Sequence, residues 1–263
     1  MMNIRRIWGV VLRHLHMVTE VNRLISFIYW PVLDIIMWGF TSLWIQGSEV
    51  YSREMTLSLL TGLVLWQLVG RASFEASLNL IEEMWSFNML NLFSSPLTLP
   101  EWVTAMMILG VIMSSIITWY CIAVVWALYD LNVLSSGIGL LWYSIPLFIS
   151  GLAMGFTASC IVIYFGARSY SIVYMMSLLF MPFTGALYPV SVLPSWIQRI
   201  SYGLPMTYAF EGMRTLVLEH RFKPDYLVIS TLMSLAYLAA VLALFGVMFN
   251  ASKQRGFARL TAD

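Results

Sequence analysis

Apolar residues run through this chain in blocks too long and too continuous for half-buried strands. Residues 35 to 40 (Ile-Ile-Met-Trp-Gly-Phe), 111 to 117 (Val-Ile-Met-Ser-Ser-Ile-Ile) and 238 to 245 (Leu-Ala-Ala-Val-Leu-Ala-Leu-Phe) do not alternate in polarity. A transmembrane β-barrel would require that alternation, so the blocks read as helices. Crossing about 30 Å of hydrocarbon takes about 20 apolar residues, and a helix satisfies its own backbone groups while it does so. The pattern predicts spans at about 24–46, 55–77, 102–129, 138–165, 170–189 and 226–249. The expected fold is an all-α membrane protein: a single transmembrane domain over 1–263 with six transmembrane helices.

Two further segments depart from the spanning pattern. Residues 4–20 are too charged to cross, yet they set Ile4, Ile7, Trp8, Val11, Leu12 and Leu15 at helical spacing around Arg5, Arg6 and Arg13. This predicts an N-terminal interfacial amphipathic helix. It is not expected to be a cleavable signal peptide, because no short apolar core with a small-residue cleavage site separates it from span 1. Between spans 5 and 6, Pro182, Pro189, Pro194 and Pro205 interrupt helices repeatedly, while Trp196, Ile197, Ile200 and Tyr202 form a short amphipathic face. Residues 190–222 are therefore expected to form a re-entrant helix pair at the outer face, covered by protein or lining a water-filled cavity.

Composition agrees with the pattern: 60% of residues are apolar and 10% charged, against roughly 25% charged in soluble domains. Six spans put both termini on one side. Arg5, Arg6, Arg13 and Arg23 at the start, with Lys253, Arg255 and Arg259 at the end, place half of the 14 Lys and Arg residues beside the outermost spans. The positive-inside rule then sets both termini in the cytoplasm.

No enzymatic chemistry emerges. Cys121 and Cys160 fall in predicted spans at opposite depths and read as small buried residues rather than a disulfide. His14 and His16 point different ways on one helix, and His220 stands apart, so no metal site is expected. No phosphate loop or nucleophile elbow is present, hence no catalytic residue is assigned. Glu211, Glu219, His220 and Asp225 read as a solvated outer rim.

Polar residues inside the spans are candidates for a transport path. Asp34 lies near the middle of span 1 and carries either a structural pair or a transport role. Gln67, Arg71 and Glu75 recur every four residues on span 2; the stripe lines the path, docks a neighbour, or holds an intrahelical Arg71–Glu75 pair. Trp38 is too deep for an interfacial belt, and with Met37 it lines a path for lipophilic or glycolipid substrates, faces lipid, or packs in the core.

The segment after span 5 resembles the membrane subunit of type 2 ABC exporters. Those permeases carry a Gly, a following Pro, a Leu-Pro-x-Trp step, then Pro-x-Thr-Tyr and an Arg; this chain has Gly185, Pro189, Leu193, Pro194, Trp196, Pro205, Thr207, Tyr208 and Arg214. Relatives place a cytoplasmic coupling helix between spans 2 and 3, often ending in Ser-Pro-Leu, as Ser95-Pro96-Leu97 does here. The resemblance assigns residues 82–93 to that helix, with Glu82, Glu83, Met84, Trp85, Phe87, Leu90 and Phe93 as the contact. Their mix of aromatic, apolar and acidic side chains suits a protein interface better than a solvated loop; the alternative is packing within this chain alone. The Gly-Thr-Leu-Glu run common in relatives is replaced by Phe87 to Leu90.

The resemblance implies a permease in the bacterial inner membrane, exporting a lipophilic, lipid-linked or glycan substrate or a drug. It implies two copies of a cytoplasmic ATP-binding subunit carrying ATP and Mg, a second permease chain forming a homodimer, and contact with membrane lipids but not nucleic acid. This chain itself would hold no cofactor. Rival readings are a non-transporting ABC membrane subunit that transmits force, an ion-gradient transporter, whose helix breaks would recur in both halves, and a channel, which would need a filter or rings of charge.

Overall fold

The computed structural model describes residues 2–18, 21–46, 52–86, 88–166 and 169–255. They form helices α1 (Ile4–Val18), α2 (Val21–Gln46), α3 (Arg53–Trp85), α4 (Met89–Ser94), α5 (Leu99–Tyr129), α6 (Gly139–Phe165), α7 (Tyr170–Phe180), α8 (Ser195–Ser201), α9 (Pro205–Glu219) and α10 (Pro224–Arg255). No strand occurs among the described residues. This is an all-α membrane architecture, as the unbroken apolar blocks required.

Five helices, α2, α3, α5, α6 and α10, are long and apolar enough to cross a membrane. The fifth expected span, 170–189, is helical only through Phe180 and continues as a 3-10 turn over Met181–Phe183. Pro182 lacks the N–H that would continue the ladder, and Gly185 turns the chain with φ +74. At 1.5 Å per residue the α-helical part reaches only about 17 Å. α1 covers most of the segment 4–20 expected to be helical and amphipathic. Ile7, Val10, Val11 and His14 are buried, whereas Ile4, Trp8 and Leu12 form an exposed apolar stripe.

α3 is the central element and packs against α2, α5, α6, α7 and α9. The Ser52 hydroxyl caps it by accepting from the Met55 N–H. Its closest neighbour is α6, where glycine lets the backbones touch: a Cβ on Gly151 would lie 2.5 Å from the Val69 carbonyl oxygen, and one on Gly155 would collide with Ser73. The Ser159 hydroxyl donates to the Ala76 carbonyl across this seam at 3.2 Å. On the far side of α6, Ser150 and Ser234 share a hydrogen bond of 2.8 Å with α10.

Candidate functional site

The end of α3 carries the expected coupling segment, which is not one helix. α3 continues through Trp85, the chain turns at Ser86, and α4 starts at Met89. Glu83 is 1% exposed. Its carboxylate pairs with Arg13 at 2.9 Å, lies 3.6 Å from the His14 ring and accepts from the Asn88 amide at 2.6 Å. A buried carboxylate must be satisfied this fully, so Glu83 ties α1 to α3 and to the start of α4 instead of facing a partner. Met84 is also fully buried. Both are expected partner contacts, and within this chain both are packed in the interior. Trp85 is 50% exposed and sets its ring edge-on to Tyr170, centroids 5.6 Å apart. Glu82 is half-buried. Phe87 and the side chains of Leu90 and Phe93 lie outside the described residues.

Beyond α4, Glu101 anchors the return into the bilayer. It accepts from the backbone N–H groups of Thr98 at 2.8 Å and Asn3 at 2.7 Å, closing a capping box with Thr98 and holding the start of the chain. Arg6 donates to the Pro96 carbonyl, also on this link. Between α1 and α4 runs a groove of about 250 Å³ lined by Arg6, Gly9, Val10, Arg13, Leu92 and Pro96. A Cβ on Gly9 would meet nothing within 4 Å.

The family-motif residues after α7 converge on one turn. Arg214, on α9, donates to the Gly185 carbonyl and lies 3.9 Å from Glu211, whose carboxylate accepts from the Val190 N–H at 2.7 Å. Glu211 therefore braces the turn and is not part of a solvated rim. Pro189 opens the 3-10 turn Val190–Val192, Pro194 precedes α8 and Pro205 occupies the first turn of α9. The Thr207 hydroxyl donates to the Ser201 carbonyl at 2.6 Å, and the Tyr208 hydroxyl to the Tyr202 carbonyl at 3.1 Å. Burial, and then the Glu211 charge, hold the Tyr202 phenol above the usual tyrosine range. Trp196 stays exposed. The turn rests on α3, since a Cβ on Gly62 would collide with the Ala186 carbonyl.

Of the path candidates, the structure joins Asp34 and Gln67 by a hydrogen bond of 2.9 Å. Arg71 belongs to an intrahelical pair, 2.6 Å from Glu75, and its guanidinium lies 4.6 Å from the centre of the Phe27 ring. Trp38 is half-buried against the core, and Met37 is exposed. Nearby, Tyr129 donates to the Ile35 carbonyl at 3.0 Å.

Among the described residues no group of three His, Cys, Asp or Glu is placed to hold a metal, and Cys121 and Cys160 are free and buried. Glu101 and Glu211 were missed as organising residues. The Thr98-x-x-Glu101 capping box was readable in the sequence. Glu211 had no local signal, because its partner lies 21 residues away.

A family model described as ABC-2 type transporter matches residues 20–218, well over half of the chain. No curated protein matches it.

Proposed function

This chain belongs to the ABC-2 type transporter family, and on that premise we propose that it is the permease subunit of an ATP-driven exporter in a bacterial inner membrane. It is a multi-pass membrane component of an ABC transporter, and an ABC ATP-binding partner goes with that family in general. In the proposed assembly two copies of the chain pair with two ATP-binding subunits that carry ATP and Mg. Both termini face the cytoplasm, and the cargo is lipophilic, lipid-linked or glycan.

One observation carries this reading: α3 runs unbroken from Arg53 to Trp85. Its early turns support the external motif at Gly62 and its last turn presents Trp85 beside α4. At 1.5 Å per residue its 33 residues extend about 50 Å, enough to link both membrane faces by one rigid element. A displacement imposed at Trp85 by a closing ATPase pair reaches the Gly185–Ala186 turn without crossing a hinge. The groove beside α4, with Arg6 and Arg13 on its wall, supplies a second surface for the partner.

The test is co-purification in detergent of the chain with the ATP-binding subunit encoded beside it, followed by ATPase assay. A stable complex whose ATPase rate responds to the permease supports the proposal. A chain that purifies alone while an ATP-independent flux persists overturns it in favour of an ion-gradient transporter or channel.

A further inference from the structure

Among the described residues, the seam between α2 and α3 contains one carboxylate that no cation meets. Arg71 and Glu75 neutralise each other at 2.6 Å, whereas Asp34 is met by the neutral amide of Gln67 at 2.9 Å. Among the described residues no cation pairs with Asp34. An ionisable group at that depth is costly, and it persists where a ligand or partner draws on its charge.

The surroundings select the kind of ligand. Asp34 and Gln67 offer too few oxygens for Ca²⁺ or Mg²⁺, which take six or more. Trp30 and Trp38 lie four residues before and four after Asp34, so all three share one stripe of α2. Trp30 is 62% exposed and Met37, on the same side, 61%. Indole faces attract cations electrostatically and add apolar contact area. A half-buried carboxylate one helical turn from each of two indoles, with an exposed thioether on the same side of the helix, complements a single positive charge on an apolar body. A neutral glycan would leave the carboxylate unmatched.

We infer that Asp34, flanked by Trp30 and Trp38, binds a monovalent lipophilic cation entering from the bilayer. This rests on the transport reading above and narrows its cargo to amphipathic cations.

The test is equilibrium dialysis of labelled tetraphenylphosphonium against the full chain in detergent, with tetraphenylborate as the probe of equal shape and opposite charge. Wild type binds the cation in preference to the anion. Asp34→Asn keeps a hydrogen-bonding side chain opposite Gln67 and loses the cation roughly tenfold or more, with the anion unchanged or bound better. Asp34→Glu retains binding. Trp30→Ala, at an exposed position that the fold does not need, weakens the cation about threefold and keeps the proposal falsifiable if Asp34→Asn does not fold. Equal binding of both probes, or wild-type cation affinity in Asp34→Asn, overturns it. So does an Asp34→Asn chain that separates from a second copy while its cation affinity holds, which assigns the carboxylate to the dimer. The assay needs no ATPase, so loss of the ATP-binding partner with cation binding intact refutes the exporter reading alone.

Discussion

Gly62 of α3 and Ala186 of the turn after α7 meet backbone to backbone, with no room for a side-chain carbon between them. The Gly185 carbonyl one residue earlier is held by Arg214, so the turn is clamped from α9 while it rests on α3. Gly185 and Arg214, two of the residues that carry the family resemblance, thus help to build a support.

Gly62→Leu should destabilise the chain by about 1–3 kcal/mol, because the neighbouring backbone cannot yield as a flexible side chain would. Gly70→Ala, where the nearest atom is the Ser177 hydroxyl oxygen at 4.0 Å, should be neutral or slightly stabilising. Thermal unfolding of both variants in one detergent checks this; equal effects would refute the claimed contact.

Removing Glu83 alone should cost about 3–5 kcal/mol, since Arg13 and the buried His14 lose their shared acid. Glu83→Leu combined with Arg13→Leu should be less damaging than the sum of the two single changes. A double-mutant cycle on unfolding gives the coupling, and simple additivity would mean that α1 is not tied to α3 through this pair.

Trp85→Ala should leave the unfolding temperature nearly unchanged, because the indole is half exposed, and should cost about 2 kcal/mol in association with the ATP-binding subunit. That is roughly thirtyfold in affinity. Gly9→Leu should fill the groove beside α4 without strain and also weaken the complex. Retention of the partner by both variants, scored by co-purification, would move the docking surface elsewhere.

A single cysteine replacing Met2 should react only from the cytoplasm, and one replacing Ser191 only from outside. Both cysteines belong in a chain whose buried Cys121 and Cys160 are replaced by serine or alanine. The opposite labelling in sealed cells would reverse the orientation.

Sequence pattern alone located most of the architecture, because bilayer thickness and helical rise leave few choices. The expected span 138–165 and the observed α6, Gly139–Phe165, differ by a single residue. The fifth span was overestimated because Ala186, Leu187 and Tyr188 add apolar length that Pro182 and Gly185 prevent from being helical. Glu83 was read as a partner contact because the resemblance places the coupling helix over residues 82–93. Only tertiary packing brings Arg13, His14 and Asn88 onto it, and the first two lie about 70 residues earlier. Gln67 was read as a member of the Arg71 and Glu75 stripe. Its actual partner, Asp34, sits on another helix, where spacing within α3 carries no information.

The glycine seam between α3 and α6 also constrains kinematics. Where Gly151 and Gly155 press backbone on backbone, no side chain can re-interdigitate, so the two helices cannot slide by a turn without losing contact along their shared length. They form a chassis. α2, which Asp34 fastens to α3 and Tyr129 fastens through the Ile35 carbonyl, is held by a few replaceable bonds and exposes most of its surface. In the proposed exporter a displacement entering α3 would therefore carry α6 with it, and the two would move as one body against α2.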